Sequence, residues 1–173
     1  MSVYVNPPRL DVLPAGETHL GEIGGNTTAV VVTPAIAAAA YSANDIVGGK
    51  LTLTSALRVS GGSGLIHNLV LIDASKQNAG LQIFIFEADL TVAADNAPEA
   101  TSGADWLKCL GRIDILATDY ISMANASVAI PSGFRGMPIK VASGTSLYGF
   151  IRTIGTPTYG LNALQLTFGI LRD

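Results

Sequence analysis

The stretch Leu164-Gln165-Leu166-Thr167-Phe168-Gly169-Ile170 sets Leu, Leu, Phe and Ile at every second position, with Gln, Thr and Gly between them. A period of two sends the four apolar side chains to one face of a β-strand and the polar or small ones to the other. The segment is therefore a strand lying on a core. Working outward, the same pattern recurs. In 46–54, Val47, Leu51 and Leu53 alternate with Lys50, Thr52 and Thr54; 65–73 is a longer apolar-rich strand ending at a polar turn over 75–80. Segment 81–86, Leu-Gln-Ile-Phe-Ile-Phe, is almost wholly apolar, as expected for a strand covered on both faces. Segments 120–130, 138–141 and 147–154 supply further strand material, and 29–33 is valine-rich until Pro34 stops ladder pairing or places it at an edge. Segment 106–116 has two readings. Trp106, Leu110, Ile113 and Ala117 share a helical spacing, while Gly111 and the alternation Ile113-Asp114-Ile115 favour a strand. The strand is the expectation here.

About eight strands, separated by Gly, Ser, Pro and Asn turns, with no amphipathic helix and no internal repeat, predict an all-β sandwich of the jelly-roll kind. The longest stretch without periodicity is a loop over 88–105. Loops of that length are commonly functional or form interfaces. Residues 1–28, with Pro7, Pro8, Pro14 and the pair Gly24-Gly25, carry no sustained pattern and are expected to form an extended N-terminal arm, leaving 29–173 as the β-sandwich domain.

A chain of 173 residues makes one domain. Ten Lys and Arg against thirteen Asp and Glu give a net charge of -3, and charged residues are 13% of the chain, where roughly 25% is usual. The few scattered cations cannot neutralise a phosphate backbone, so a nucleic-acid partner is not expected. Mean hydropathy is high at +0.42, yet the longest uncharged stretch, between Glu22 and Asp45, is broken by glycines, polar residues and Pro34. No membrane span is expected, and prolines and charges in the first twenty residues exclude a secretory leader. The single Cys109 rules out an internal disulfide. Few charges and little membrane character together imply a surface of small polar and apolar groups that other subunits cover.

Each catalytic pattern lacks a part. Around Ser63 the second glycine of a nucleophile elbow is replaced by Leu65. Gly48-Gly49-Lys50 resembles the end of a phosphate loop, but Asn44 and Leu51 stand where Gly and Ser or Thr are required, so both tracts read as turns. His19 lies in the arm and His67 in an apolar strand, too few for a metal site. Glu87 with Asp89, and Asp95 with Glu99, are the closest approach to a glycosidase pair, and loop acids of this kind are expected to be solvated. Asp89, Asp95 and Asn96 lack a calcium-loop signature. Cys109, between Lys108 and Leu110, reads as a small buried hydrophobe. The expectation is a protein that is not an enzyme, with no catalytic, cofactor-binding or metal-ligating set and no cofactor.

The ordered phrases 41–49 (Tyr-Ser-Ala-Asn-Asp-Ile-Val-Gly-Gly), 56–66 (Ala-Leu-Arg-Val-Ser-Gly-Gly-Ser-Gly-Leu-Ile), 83–88 (Ile-Phe-Ile-Phe-Glu-Ala), 147–153 (Leu-Tyr-Gly-Phe-Ile-Arg-Thr) and 164–173 resemble those of tailed-bacteriophage capsid decoration, or cement, proteins. The resemblance spans about 41–173 and rests on sheet and turn residues. It implies a β-sandwich or jelly-roll domain on the outer capsid surface of the virion, made in the host cytoplasm, that bridges subunits of the major capsid protein. It agrees with the composition, which favours self-association as a homotrimer, or else a dimer. The alternative is a carbohydrate- or host-receptor-binding virion module, for which Trp106, Tyr120 and Tyr159 are the candidate exposed aromatics.

Overall fold

The computed structural model describes residues 26–173, and nearly all of their regular structure is β: 48% is strand and 5% helix. His19, and the expected arm up to residue 25, lie outside the described residues. Arm residues 26–28 are already strand. Strand β1 runs Asn26–Val32 and pairs antiparallel with β12, Leu164–Arg172, from Asn26 opposite Arg172 to Val32 opposite Leu166. β12 in turn pairs with β4, Ser63–Asp73. Three short strands complete this six-stranded sheet: β8, Ser127–Ala129, on β4; β7, Tyr120–Ser122, on β8; and β9, Met137–Lys140, on the other end of β4.

A second, four-stranded sheet has the order β3-β10-β5-β6, built from Ile46–Leu53, Leu147–Thr153, Leu81–Phe86 and Cys109–Ile115. A two-residue pair, β2 (Ala39–Ala40) with β11 (Thr158–Tyr159), is a feature the sequence did not suggest. The chain repeatedly crosses between the large sheets: β1 lies in the first, β3 in the second, β4 in the first, β5 and β6 in the second, β7 to β9 in the first, β10 in the second and β12 in the first.

Alternation explains why the sheets face each other. Leu164, Leu166, Phe168 and Ile170 are buried, as the pattern of β12 requires, and join Ile66, Leu69 and Leu71 of β4 in one core with Leu51 and Leu53 of β3, Ile83 and Ile85 of β5, and Ile151 of β10. One shared core between two antiparallel sheets is a sandwich. β5 is buried on both faces. Its Phe84 and Phe86 leave the shared core and form a second cluster with Ile46, Leu90 and Phe150.

The expected strand over 106–116 divides. Gly103–Trp106 is one helical turn, α1, and only Cys109–Ile115 is β6. Ser102 explains the division: its hydroxyl caps the turn by accepting from the Asp105 backbone N–H at 3.1 Å, which fixes a helical start that the alternation further on cannot reveal.

Candidate functional site

The loop expected over 88–105 spans 87–108 between β5 and β6, with α1 inside it, and it folds back over the outer face of the four-stranded sheet. Its ends are tied by the Glu87 N–H donating to the Lys108 carbonyl at 3.0 Å. Leu90 inserts into the outer cluster, and Trp106 packs edge-on against Phe84 with centroids 5.1 Å apart and beside Phe86 at 5.7 Å. The ammonium of Lys108 holds both loop limbs, donating to the Asp89 carbonyl at 2.9 Å and to the Asp105 carboxylate at 2.7 Å. Lys108, with the Ser102 hydroxyl, keeps the Asp105 carboxyl below the usual carboxylate range.

The acids proposed as chemical pairs serve separate structural ends. Asp95 accepts from the Ala37 N–H at 2.8 Å, the Tyr41 hydroxyl at 2.7 Å and the Gly48 N–H at 2.6 Å, so it is bonded to protein and not simply solvated. Glu99 accepts from the Thr101 N–H at 2.5 Å. Asp89 pairs with Lys50 at 2.7 Å, which holds its carboxyl low, and also accepts from the Leu90 N–H. Glu87 contributes its backbone to the loop closure. No group of three or more His, Cys, Asp or Glu able to hold a metal occurs among the described residues.

Gly48 and Gly49 are a bulge inside β3. Opposite them the β10 register jumps from Phe150 on Lys50 to Ile151 on Val47, and both glycines are left-handed, φ 76° and 67°. A Cβ on Gly48 would lie 2.2 Å from Pro34 Cβ, so the bulge aims its N–H at Asp95 by using the space a side chain would need. In 60–64 the turn ends early: Ser63 and Gly64 already belong to β4, and the Ser63 hydroxyl donates to the Asp173 carboxylate. His67 is exposed on the outer face of the six-stranded sheet, beside Gly169. Cys109 is half-buried; burial raises its thiol above the ordinary value, a setting that disfavours the thiolate.

The three aromatics considered for a glycan platform are placed elsewhere. Tyr159 is buried at 1% exposure, Tyr120 is half-buried with its hydroxyl donating to the Ala79 carbonyl at 2.9 Å, and Trp106 is half-buried on the phenylalanines. Among the described residues every Phe, Tyr and Trp is buried or half-buried.

Sequence reasoning missed the polar knot at the end of β4. Asp73, fully buried, accepts from the N–H groups of Ser75, Gln77 and Asn78 at 2.8 to 3.0 Å and so builds the turn that follows. Buried Ser127 stands opposite it in the ladder. Burial, with the Asp73 carboxylate nearby, pushes the hydroxyls of Tyr120 and Tyr159 far above their usual pKa. The available signal was slight: an Asp closing an apolar strand before Ser, Gln and Asn.

Two open grooves lie near the edges. One of about 510 Å³ is lined by Leu65, Leu110, Pro138, Ile139 and Leu171; the other, of about 700 Å³, lies along β6 between Arg112 and Phe134. No protein-family model, curated protein or solved structure matches the chain.

Proposed function

We propose that this chain is a structural virion protein that decorates a tailed-phage capsid and stabilises it by bridging major capsid protein subunits, acting through contact area and without chemistry. The observation that carries this reading is where the polar groups go. Asp73, Asp95, Asp105 and Asp119 bond to the chain's own N–H, hydroxyl or ammonium groups and fix its turns and loops, while the central rows of the outer face of the six-stranded sheet present valine, isoleucine and threonine, with Lys140 and His67 toward one end. Bonded loops and a face with so little charge suit a protein packed in many copies on a lattice.

The fold reading sharpens to a jelly roll. Its support is the strand order, β1-β12-β4-β8 in one sheet and β3-β10-β5-β6 in the other, with the chain crossing between sheets at almost every step. Self-association and a place on the outer capsid surface belong to the same proposal. A ligand that binds only the assembled shell stabilises it in proportion to occupancy. The test is sedimentation of the purified protein with heads that lack it: saturable co-sedimentation, absent with unassembled capsid subunits, is expected. Failure to bind heads, together with loss of host adsorption by virions lacking the protein, replaces this reading with the receptor-binding one.

A further inference from the structure

The two sheets are finished differently on their outer faces. On the four-stranded sheet, segment 87–108 covers the aromatic part, and the adjoining row is charged: the Arg152 guanidinium donates to Gln82, Gln82 donates to Asp114 at 3.1 Å, and Arg112 pairs with Asp114 at 2.9 Å. On the six-stranded sheet, the positions between the buried residues form outward rows. Val31, Thr167 and Val70 stand in one row, and Gln165, Ile72, Val128 and Ile121 in the next. Beyond them come Ala29, Gly169 and Asn68, then Thr27, Leu171 and Leu65. None of these positions holds Asp, Glu, Lys or Arg; His67, bulged beside Gly169, and Lys140, opposite Ser63 at the far end, complete the face. An antiparallel sheet facing water ordinarily alternates apolar inward with polar or charged outward. Here Val31 and Ile121, at the two margins, remain 54% and 64% exposed.

We propose that this face is the self-association surface: a second copy of the chain packs on it, sheet against sheet, about a two-fold axis. The inference rests on the self-association part of the proposed function and names its surface and symmetry. Three properties favour a second copy. The face carries no charge in its central rows and no acidic residue in any row, so two chains of net charge -3 meet there without apposing carboxylates. It is a regular sheet face, and such faces interdigitate at about 10 Å separation. It is also large enough: β1, β12 and β4 run seven, nine and eleven residues and β8 and β7 three each, and at about 3.4 Å along and about 4.8 Å across per residue they cover roughly 500 Å², or roughly 1,000 Å² for a pair, where a specific interface begins. A peptide segment that docks as a strand gains its main-chain bonds at a sheet edge rather than on a flat face, and a charged partner finds no countercharge in the central rows. A single face packing on its like requires a two-fold axis, so the unit is a dimer and not the trimer that composition favoured.

Sedimentation velocity of the full chain through the micromolar range, with Val31→Glu and Thr167→Arg, tests this. Both sites are half-buried or exposed, and circular dichroism and melting confirm that each variant folds; if one does not, the other carries the test. The wild type is expected to be a dimer, and each variant is expected to raise the dimer Kd roughly a hundredfold or more, since it buries unpaired charge at the interface. A monomeric wild type, a trimer, an assembly that neither variant weakens, or one lost on removing residues 1–25 but not by these variants would overturn the proposal. Because only purified protein is measured, a failure here leaves capsid binding open, and a dimer that ignores heads contradicts the capsid reading alone.

Discussion

Asp95 draws together donors 58, 54 and 47 residues away, from Ala37, Tyr41 and Gly48. Replacing it with Ala removes the partner of two backbone N–H groups and a hydroxyl at once, two of the three part-buried. Asp95→Ala is therefore expected to lower the unfolding free energy by about 2–3 kcal/mol in urea titration, whereas Glu99→Ala, losing a single local bond, lowers it by about 1 kcal/mol or less. The two glycines beside that hub separate conformation from space. Gly49→Ala meets open space and is expected to cost about 1 kcal/mol for the left-handed backbone alone; Gly48→Ala also meets Pro34 and is expected to cost about 3 kcal/mol. Burial and the neighbouring Asp95 raise the Tyr41 hydroxyl as burial raises Tyr120 and Tyr159, each from an ordinary value near 10. A raised folded-state pKa contributes stability that is complete below pH 10 and is lost as pH climbs toward the folded value, so alkaline unfolding should coincide with tyrosinate absorbance. Asp89 and Asp105, held low by Lys50 and Lys108, run the other way: their contribution is present above the unfolded carboxyl pKa and fades as pH falls through the lower folded one. None of the Asp95 bonds is legible in sequence, because no local pattern announces partners so remote. The Gly48-Gly49 pair reads in sequence as a turn, and its identity as a bulge inside β3 needed the opposite strand.

At the scale of elements, periodicity was a reliable guide where it was long and an unreliable one where it was short. β5 stands where its apolar run put it and β12 where alternation put it, with β12 continuing to Arg172. β2 and β11 have two residues each, too few for any period to exist. Over 106–116 the alternation was right from Cys109 on, whereas the helical spacing was not: of its residues only Trp106 belongs to the capped turn, and Leu110 and Ile113 lie in β6. The loop before them was legible as a loop, but its role as a lid over phenylalanines was not, since Phe84 and Phe86 gave no indication of what covers them. That role has a consequence: Trp106→Ala removes a half-buried ring from the cluster and is expected to cost about 2–3 kcal/mol and to increase binding of a hydrophobic dye. At the other end of the chain, Asn26, Thr27 and Thr28 are three rungs of the β1–β12 ladder. A truncation through residue 28 is expected to lower the melting temperature, while one ending at residue 25 keeps every described rung and leaves it nearly unchanged.

For the whole molecule, the all-β sandwich was legible because alternation in half a dozen segments demands two faces and one core. The contrast between outer faces was not, because assigning a residue outward requires knowing the sheet it joins. Covered by its own loop on one side and free of acidic residues across the rows of the other, the molecule is suited to making contacts in number. Attachment at several points on one rigid unit converts later contacts into intramolecular ones, so modest affinities give long residence on a lattice. Asp95→Asn and Glu99→Ala, which leave that area intact, are expected to change head binding little. The most direct measurement is the temperature at which DNA escapes from heads purified without this protein, before and after adding it back. Release at a temperature that rises with occupancy and saturates is the expected result; heads equally robust with and without it, from virions that fail to adsorb to cells, would contradict a stabilising function.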